Sequence, residues 1–334
     1  MIMNDLLRKL TEAAGPPGNE SDVRSLIQEE VRQHADDIHV DVMGNLLVYR
    51  NGPGPRIMLS AHMDEIGVVV THVDDKGFLR FGPLGRLNPL TLIGQRVILS
   101  RGTLGVIGTE RRESESEEVK IEKLYIDVGV TDRESALRVV NVGDAGAFVR
   151  EFHEAHGRYV AKALDDRVGC AILIRLLQDL RHTSNSLICA FTVQEEIGMR
   201  GASTSSFGVE PDLALAVDVT LTGDTPESPR MSVSLGKGPA IKVKDRGMLA
   251  NPVVKNLLID TAQRLNVPYQ LEVLDQGTTD AAVIQVSRAG VLTGAVSIPC
   301  RYVHTTSEMV DSGDLDGALK ILKGIASERL QLPT

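Results

Sequence analysis

Apolar residues recur at helical spacing at the start of the chain, where Leu6, Leu7 and Leu10 predict a short amphipathic helix over residues 4–14. The Gly15-Pro16-Pro17-Gly18 run ends it. A second helix follows to about Ala35, with Asn19 or Ser21 as its cap. Ile38 to Val42 and Leu46 to Tyr49 then read as strands on either side of a Gly44-Asn45 turn. Beyond this point the pattern changes. Ile57 to Ala61 is a nearly unbroken apolar run, as expected of a strand covered on both faces and hence central and parallel. Leu187 to Val193, Leu213 to Val219 and Val291 to Ile298 have the same character, and Tyr269 to Val273 is a shorter strand. Helical periodicity fills the intervals at Cys170 to Leu180, Pro252 to Leu265, Ala281 to Ser287 and Gly313 to Leu330. Buried strands alternating with helices predict an α/β fold.

Residues 69–158 depart from this alternation. Short strand-like pieces separated by turns (Asp74 to Gly77, Gly82-Pro83, Arg101-Gly102) leave little helical pattern except around Ser135 to Val140. The segment reads as an inserted, mostly β domain that divides the main domain into 1–68 and 159–334. Its Glu110 to Lys120 stretch is charged throughout and is expected to be a solvated excursion. His72, His153 and His156 read as surface residues.

The chemistry lies where the apolar runs stop. Five of them lead to an acidic or imidazole side chain: His62, Asp165, the Glu195/Glu196 pair, Asp218 and His304. Each alone has an ordinary explanation. Asp165-Asp166 could cap the helix that follows, Glu195-Glu196 could be a solvated turn into a helix, and His62 could be structural. Asp218 needs a partner, because an unpaired buried charge is costly. In an open α/β sheet, however, ligands gather outside the carboxyl ends of the strands, so residues scattered over the sequence can converge there. Two histidines and three carboxylates, with one carboxylate left over, suit a pair of divalent ions of the zinc or cobalt type. Asp64, two residues past His62, is spaced to orient that imidazole. Neighbouring Glu195 and Glu196 point in different directions at a strand end and cannot easily share one task.

Composition narrows the classes further. A net charge of -9 and only 3% aromatic residues, with no Trp, disfavour nucleic acids, anionic membrane surfaces and stacked sugars as partners. Cys170, Cys189 and Cys300 stand apart in apolar surroundings, as free thiols in a reducing compartment do. The first residues lack the basic and apolar regions of a secretory signal, so a cytoplasmic location is expected. No Gly-x-Ser-x-Gly elbow or phosphate-cradling glycine loop occurs.

The chain resembles the tetrahedral aminopeptidases, dinuclear metallopeptidases also known as deblocking, glutamyl or leucyl aminopeptidases, some of whose members carry endoglucanase names. The resemblance covers nearly the whole chain. It rests on Ala61-His62-Met63-Asp64-Glu65-Ile66-Gly67, Ala163-Leu164-Asp165-Asp166-Arg167-Val168-Gly169, Gln194 to Ala202, Ala216-Val217-Asp218 and Arg301-Tyr302-Val303-His304. It implies a central mixed, mostly parallel sheet flanked by helices, with an inserted β-barrel-like dimerisation domain and dimers assembling into a dodecamer. It implies that His62 and Asp218 hold one divalent metal, Glu196 and His304 the other, and that Asp165 bridges them. Glu195 would be the general base and Asp64 would orient His62. A cis peptide between Asp165 and Asp166 is implied too. The metals would be zinc or cobalt, or else manganese. The substrates would be peptides with a free amino terminus, cleaved by a water held between the metals. One departure stands out: Thr278 in Gly277-Thr278-Thr279-Asp280-Ala281 occupies a position where the family has Gly. The alternatives are a dinuclear amidohydrolase acting on a non-peptide amide and an endoglucanase. Adjacent Glu195 and Glu196 suit the endoglucanase poorly, since glycosidase carboxylates stand about 5–9.5 Å apart across the sugar.

Overall fold

The computed structural model describes residues 3–111, 118–228 and 230–332, so most of the charged loop expected at Glu110 to Lys120 lies outside the described residues. The strands β1 (Asp37–Val40), β2 (Leu46–Arg50) and β3 (Arg56–His62) come first. Then β4 (Gly67–Val73), β5 (Leu79–Leu84), β6 (Arg96–Leu99), β7 (Leu104–Thr109), β8 (Leu124–Asp127) and β9 (Ala145–Phe148) form a closed barrel in the order β4-β5-β8-β7-β6-β9. The chain returns through β10 (His153–Ala155), β11 (Arg158–Ala161), β12 (Ser186–Thr192), β13 (Leu213–Thr220), β14 (Ala240–Lys244), β15 (Gln270–Val273), β16 (Leu292–Arg301) and β17 (Glu308–Asp311).

The large sheet runs β1-β2-β12-β3-β13-β16-β17-β11-β10, with β14 on β16 and β15 on β14. Its centre is parallel: β3 lies between β12 and β13, and β13 also pairs with β16. Antiparallel strands extend it on both sides, as at β2–β12 and β16–β17. This is the mixed sheet that was expected. Parallel strands need cover on both faces, and all eight residues of β13 are buried. Successive side chains alternate between the faces. Ile57 and Leu59 of β3 join Leu173, Leu176 and Leu315 on one side, whereas Met58 joins Ala202 and Ile284 on the other. The helix Leu164–Asp179 is almost wholly buried. It is caught between the sheet, the amino-terminal helices Met3–Glu12 and Ser21–Val31, and the closing helix Ser312–Ser327. Each fully buried Leu or Ile there contributes roughly 1.5–3 kcal/mol.

The barrel has its own core, drawn from Val68, Phe81, Val97, Ile107, Ile126 and Phe148 among others. Closure leaves it no unpaired edge. It leaves the large sheet a few residues after His62 and returns through β10 and β11 directly into Asp165. Both ends of the insertion therefore feed the same region of the molecule.

Candidate active site

His62 is the last residue of β3 and pairs in register with Thr192 at the end of β12. The chain beyond β12 turns sharply, with Gln194 at φ 57° and Gly198 at φ 121°, and presents Glu195 and Glu196 at the same rim. Asp218 lies near the end of β13. His304, at φ 63°, sits in the turn from β16 to β17. Asp165 enters from β11 across a cis peptide to Asp166, as the resemblance implied. Five separated segments thus meet at the carboxyl edge of the parallel strands.

Asp165 is the shared element. Its Oδ1 lies 3.1 Å from Nε2 of His62 and its Oδ2 lies 3.2 Å from Nε2 of His304. Asp218 Oδ1 approaches His62 Nε2 at 3.8 Å, and Glu196 Oε2 approaches His304 Nε2 at 3.3 Å. Atoms held about 2.0–2.1 Å from a tetrahedral zinc-type ion lie about 3.3 Å from one another. The mixed nitrogen and oxygen donors suit such an ion better than calcium. Glu196 Oε1 is buried without a hydrogen-bond partner, an unused lone pair beside His304. Asp166 also comes within ligand reach of His62 and Asp218. Both its oxygens are already engaged, however, by the N–H groups of His62 at 3.2 Å and Gly169 at 3.0 Å. That leaves Asp165 as the carboxylate with an oxygen for each imidazole.

The cluster gathers more buried carboxylates than its two imidazoles can balance. Burial pushes the carboxyls of Asp166, Asp218, Glu195 and Glu196 above their usual range, with neighbouring carboxylates adding to it. Burial acts the same way on Asp165, but hydrogen bonds from His304 and His62 overcome it and hold that carboxyl well below the usual range. Burial opposes a charged His304, yet the Asp165 and Glu196 carboxylates push its imidazole up to about 11. His62 is raised in the same manner by Asp165 and Asp64. Uncompensated buried carboxylates are costly, and two divalent ions would neutralise them.

Asp64, expected to orient His62, stands beside that imidazole. His62 Nδ1 lies 3.1 Å from the Asp64 backbone oxygen and 3.6 Å from its carboxylate. The Asp64 carboxylate accepts the N–H groups of Glu195 at 3.0 Å and Glu196 at 3.1 Å. It therefore ties the glutamate turn to the end of β3. Next to it, Glu65 is buried with Lys162 at 2.6 Å and Arg167 at 3.5 Å, and Arg167 donates to the Met63 carbonyl at 2.8 Å. This ion group joins the segment after β3 to the one carrying Asp165. The spacing arguments missed it, as they missed Asp166 and Glu308; a Lys and an Arg flanking the Asp165-Asp166 pair were the available signal.

A cavity of about 840 Å³ opens over Glu195, bounded by His62, Asp165, Asp218 and His304. One wall comes from Lys242, Arg246, Gln276 and Thr278, the other from Arg86 and Asn88 of the barrel. Gly85 (φ 84°) lets the barrel loop pass the site, since a Cβ there would stand 2.9 Å from Glu196 Oε2. Thr278 donates to Asp245 Oδ1 at 3.3 Å and lies against Gly247, so its side chain joins two loops of the wall.

Known proteins share this arrangement of chain. A profile described as M42 glutamyl aminopeptidase matches residues 44–321. A relative from Acetivibrio thermocellus, whose name assigns it provisionally as an aminopeptidase, is 46% identical over 320 residues, 96% of this chain and 97% of its own. An aminopeptidase structure from the archaeon Desulfurococcus kamchatkensis has a TM-score of 0.94 at 39% identity, covering 97% of this chain and 94% of that one. The TET1 peptidase of Pyrococcus horikoshii, described as able to assemble into a tetrahedron or a large octahedral shell, has a TM-score of 0.90 at 32% identity over 98% of this chain and 100% of that one.

Proposed function

The chain belongs to the M42 glutamyl aminopeptidase family and is an aminopeptidase; from that premise we propose that it releases the amino-terminal residue of peptides at a site holding two divalent cations. The observation that carries this reading is the carboxylate of Asp165, one oxygen toward His62 and the other toward His304. His62, Asp218 and Asp165 would hold one ion, and Glu196, His304 and Asp165 the other, with zinc, cobalt or manganese as the candidates. When bound, such ions lower the pKa of a coordinated water and polarise a carbonyl.

The remaining work falls to the chain itself. Glu195 is not needed as a ligand, and burial keeps its carboxyl well above the usual range, as suits a group that exchanges protons near neutrality. It takes the proton of the attacking water and returns it to the leaving amine. Asp64 aims that carboxylate through the Glu195 N–H. Buried carboxylates around the site favour a free, cationic α-amine over a blocked one, which limits cleavage to the terminal residue. Away from them the cavity walls carry Arg86, Lys242 and Arg246. Glu272, at 3.2 Å, neutralises Lys242, and the two arginines remaining support a preference for acidic amino-terminal side chains.

Among the described residues no helix is long and apolar enough to cross a membrane, and we place the enzyme in the cytoplasm. Exposed Leu104, Val106 and Val142 in the barrel segment support that unit as a dimer contact within a larger shell. Glu195→Gln tests the central claim: both metals should remain while kcat falls about 10²–10⁴-fold on aminoacyl chromogenic substrates. Near wild-type turnover would remove Glu195 from its role, and a chelator-resistant enzyme would remove the cations.

A further inference from the structure

Glu308, the first residue of β17, belongs to neither ligand set and is 1% exposed beside them. Its two oxygens are divided between two site residues. Oε2 accepts the N–H of Asp165 at 2.9 Å, and Oε1 accepts the N–H of His304 at 2.8 Å. Among the described residues no cation lies within ion-pairing distance of it, and these two peptide N–H groups are its hydrogen-bond partners. The carboxylate is also anchored independently of both loops, because β17 pairs with β11 in a register that sets Glu308 opposite Ala161. The turn it holds needs holding: Tyr302 and His304 have φ of 61° and 63°, a region that residues with a Cβ seldom adopt. The opposite half of the site is built differently. His62 and Asp218 sit on strands that both belong to the parallel centre, and Asp166 takes the His62 N–H.

We propose that Glu308 is a positioning residue that fixes the separation of Asp165 from His304, and that the cation position formed with Glu196, which takes both residues, depends on it more than the position at His62 and Asp218, which takes Asp165 alone. The inference rests on the two-cation reading above. A single carboxylate receiving one N–H from each of two ligand-bearing loops works as a spacer, and polar groups one step behind metal ligands are worth about 10–100-fold in metal affinity when removed. Asp64 does the equivalent for the glutamate turn, where it accepts the N–H groups of Glu195 and Glu196.

Glu308→Gln keeps the shape and one acceptor but turns an NH2 toward the second N–H. Metal-stripped wild type and variant are titrated with zinc by calorimetry, and with cobalt by its visible absorption. The expected result is two sites in the wild type, and in E308Q one site weakened at least tenfold with the other weakened clearly less. His304→Ala, which deletes a ligand of the same position, should weaken that same site most. E308D, which retains the charge, is measured alongside and should lose the same site to a smaller degree. Equal weakening of both sites, through loss of the fold or otherwise, overturns the proposal, and so does no weakening of either. A wild type that takes up fewer than two cations overturns the metallopeptidase reading and this inference together. A two-site wild type with an unselective E308Q overturns this inference alone.

Discussion

Removing the cations should give the protein a pH dependence of stability that the loaded form lacks. In the metal-free site the Asp165 and Glu196 carboxylates outweigh burial and push the His304 imidazole up to about 11, and Asp165 and Asp64 raise His62 likewise. An unfolded histidine titrates near 6.5. A base whose folded pKa lies above its unfolded value contributes stability that is complete below the unfolded pKa and is lost as pH rises toward the folded one. Between pH 7 and 8 the unfolded chain has released most of these two protons while the folded site still binds them. Folding then takes up about two protons, and each is worth about 1.4 kcal/mol per pH unit, so stability should fall by roughly 2–3 kcal/mol across that interval. Raised carboxyls such as Asp218 and Glu196 act in the same direction wherever they stay protonated. Asp165, held low, contributes stability above the usual carboxylate range and loses it only in acid, outside this window.

The measurement is a difference, which cancels every titrating group remote from the site. With an unfolding entropy of about 2.1 cal/mol/K per residue, the 334-residue chain converts 2–3 kcal/mol into about 3–4 °C of Tm. Scanning calorimetry at pH 7.0, 7.5 and 8.0, on protein stripped and then freed of chelator, should show that fall. Zinc-loaded protein should not, because imidazoles bound to metal are neutral and take up no proton on folding. If both forms lose the same stability, or the stripped form gains, the imidazoles are not held as argued.

Three further outcomes follow from named contacts. Lys162→Met leaves buried Glu65 with Arg167 at 3.5 Å and the Gly15 N–H at 3.0 Å as its partners among the described residues; breaking a buried pair in this way should cost about 3 kcal/mol in urea unfolding, and a loss below about 1 would remove the pair from the fold's supports. Thr278→Gly deletes the bond to Asp245 and opens the wall beside Gly247, so the ratio of kcat/KM between bulky and small amino-terminal side chains should rise about tenfold with metal content unchanged, and an unaltered ranking would contradict it. Leu104→Glu combined with Val106→Arg, at positions 50% and 44% exposed on β7, should lower the assembly mass in light scattering while each subunit keeps its fold, and an unchanged mass would exclude that face as a contact.

How much of this could be read in advance depended on what a residue interrupts. The strands of the parallel centre were legible because cover on both faces demands unbroken apolar runs, and His62, Glu196 and Asp218 were legible because each breaks such a run at its end. Helix starts were less visible. The helix expected from Cys170 starts ahead of it, directly after Asp165 and Asp166, whose own backbone angles are not helical. Asp280 reads as part of a polar turn, yet it is buried beneath β12, accepts the Thr192 hydroxyl at 2.6 Å and is pushed up to about 6 by that burial.

Supporting carboxylates are hidden for a more general reason. Asp166 and Glu308 accept peptide N–H groups, and every non-proline residue offers one, so nothing in their partners' side chains marks the pairing. Their partners are instead chosen by register, Glu308 against Ala161 on β11, and by left-handed turns such as that at His304. A ligand must be of one chemical type and therefore shows in the sequence. A spacer need only be an acceptor of the right length at the right height in the sheet. The side chains proposed to bind metal can thus be recognised from five short motifs, while the geometry that brings Asp165 within 3.2 Å of both imidazoles is written in the pairing of β11, β16 and β17.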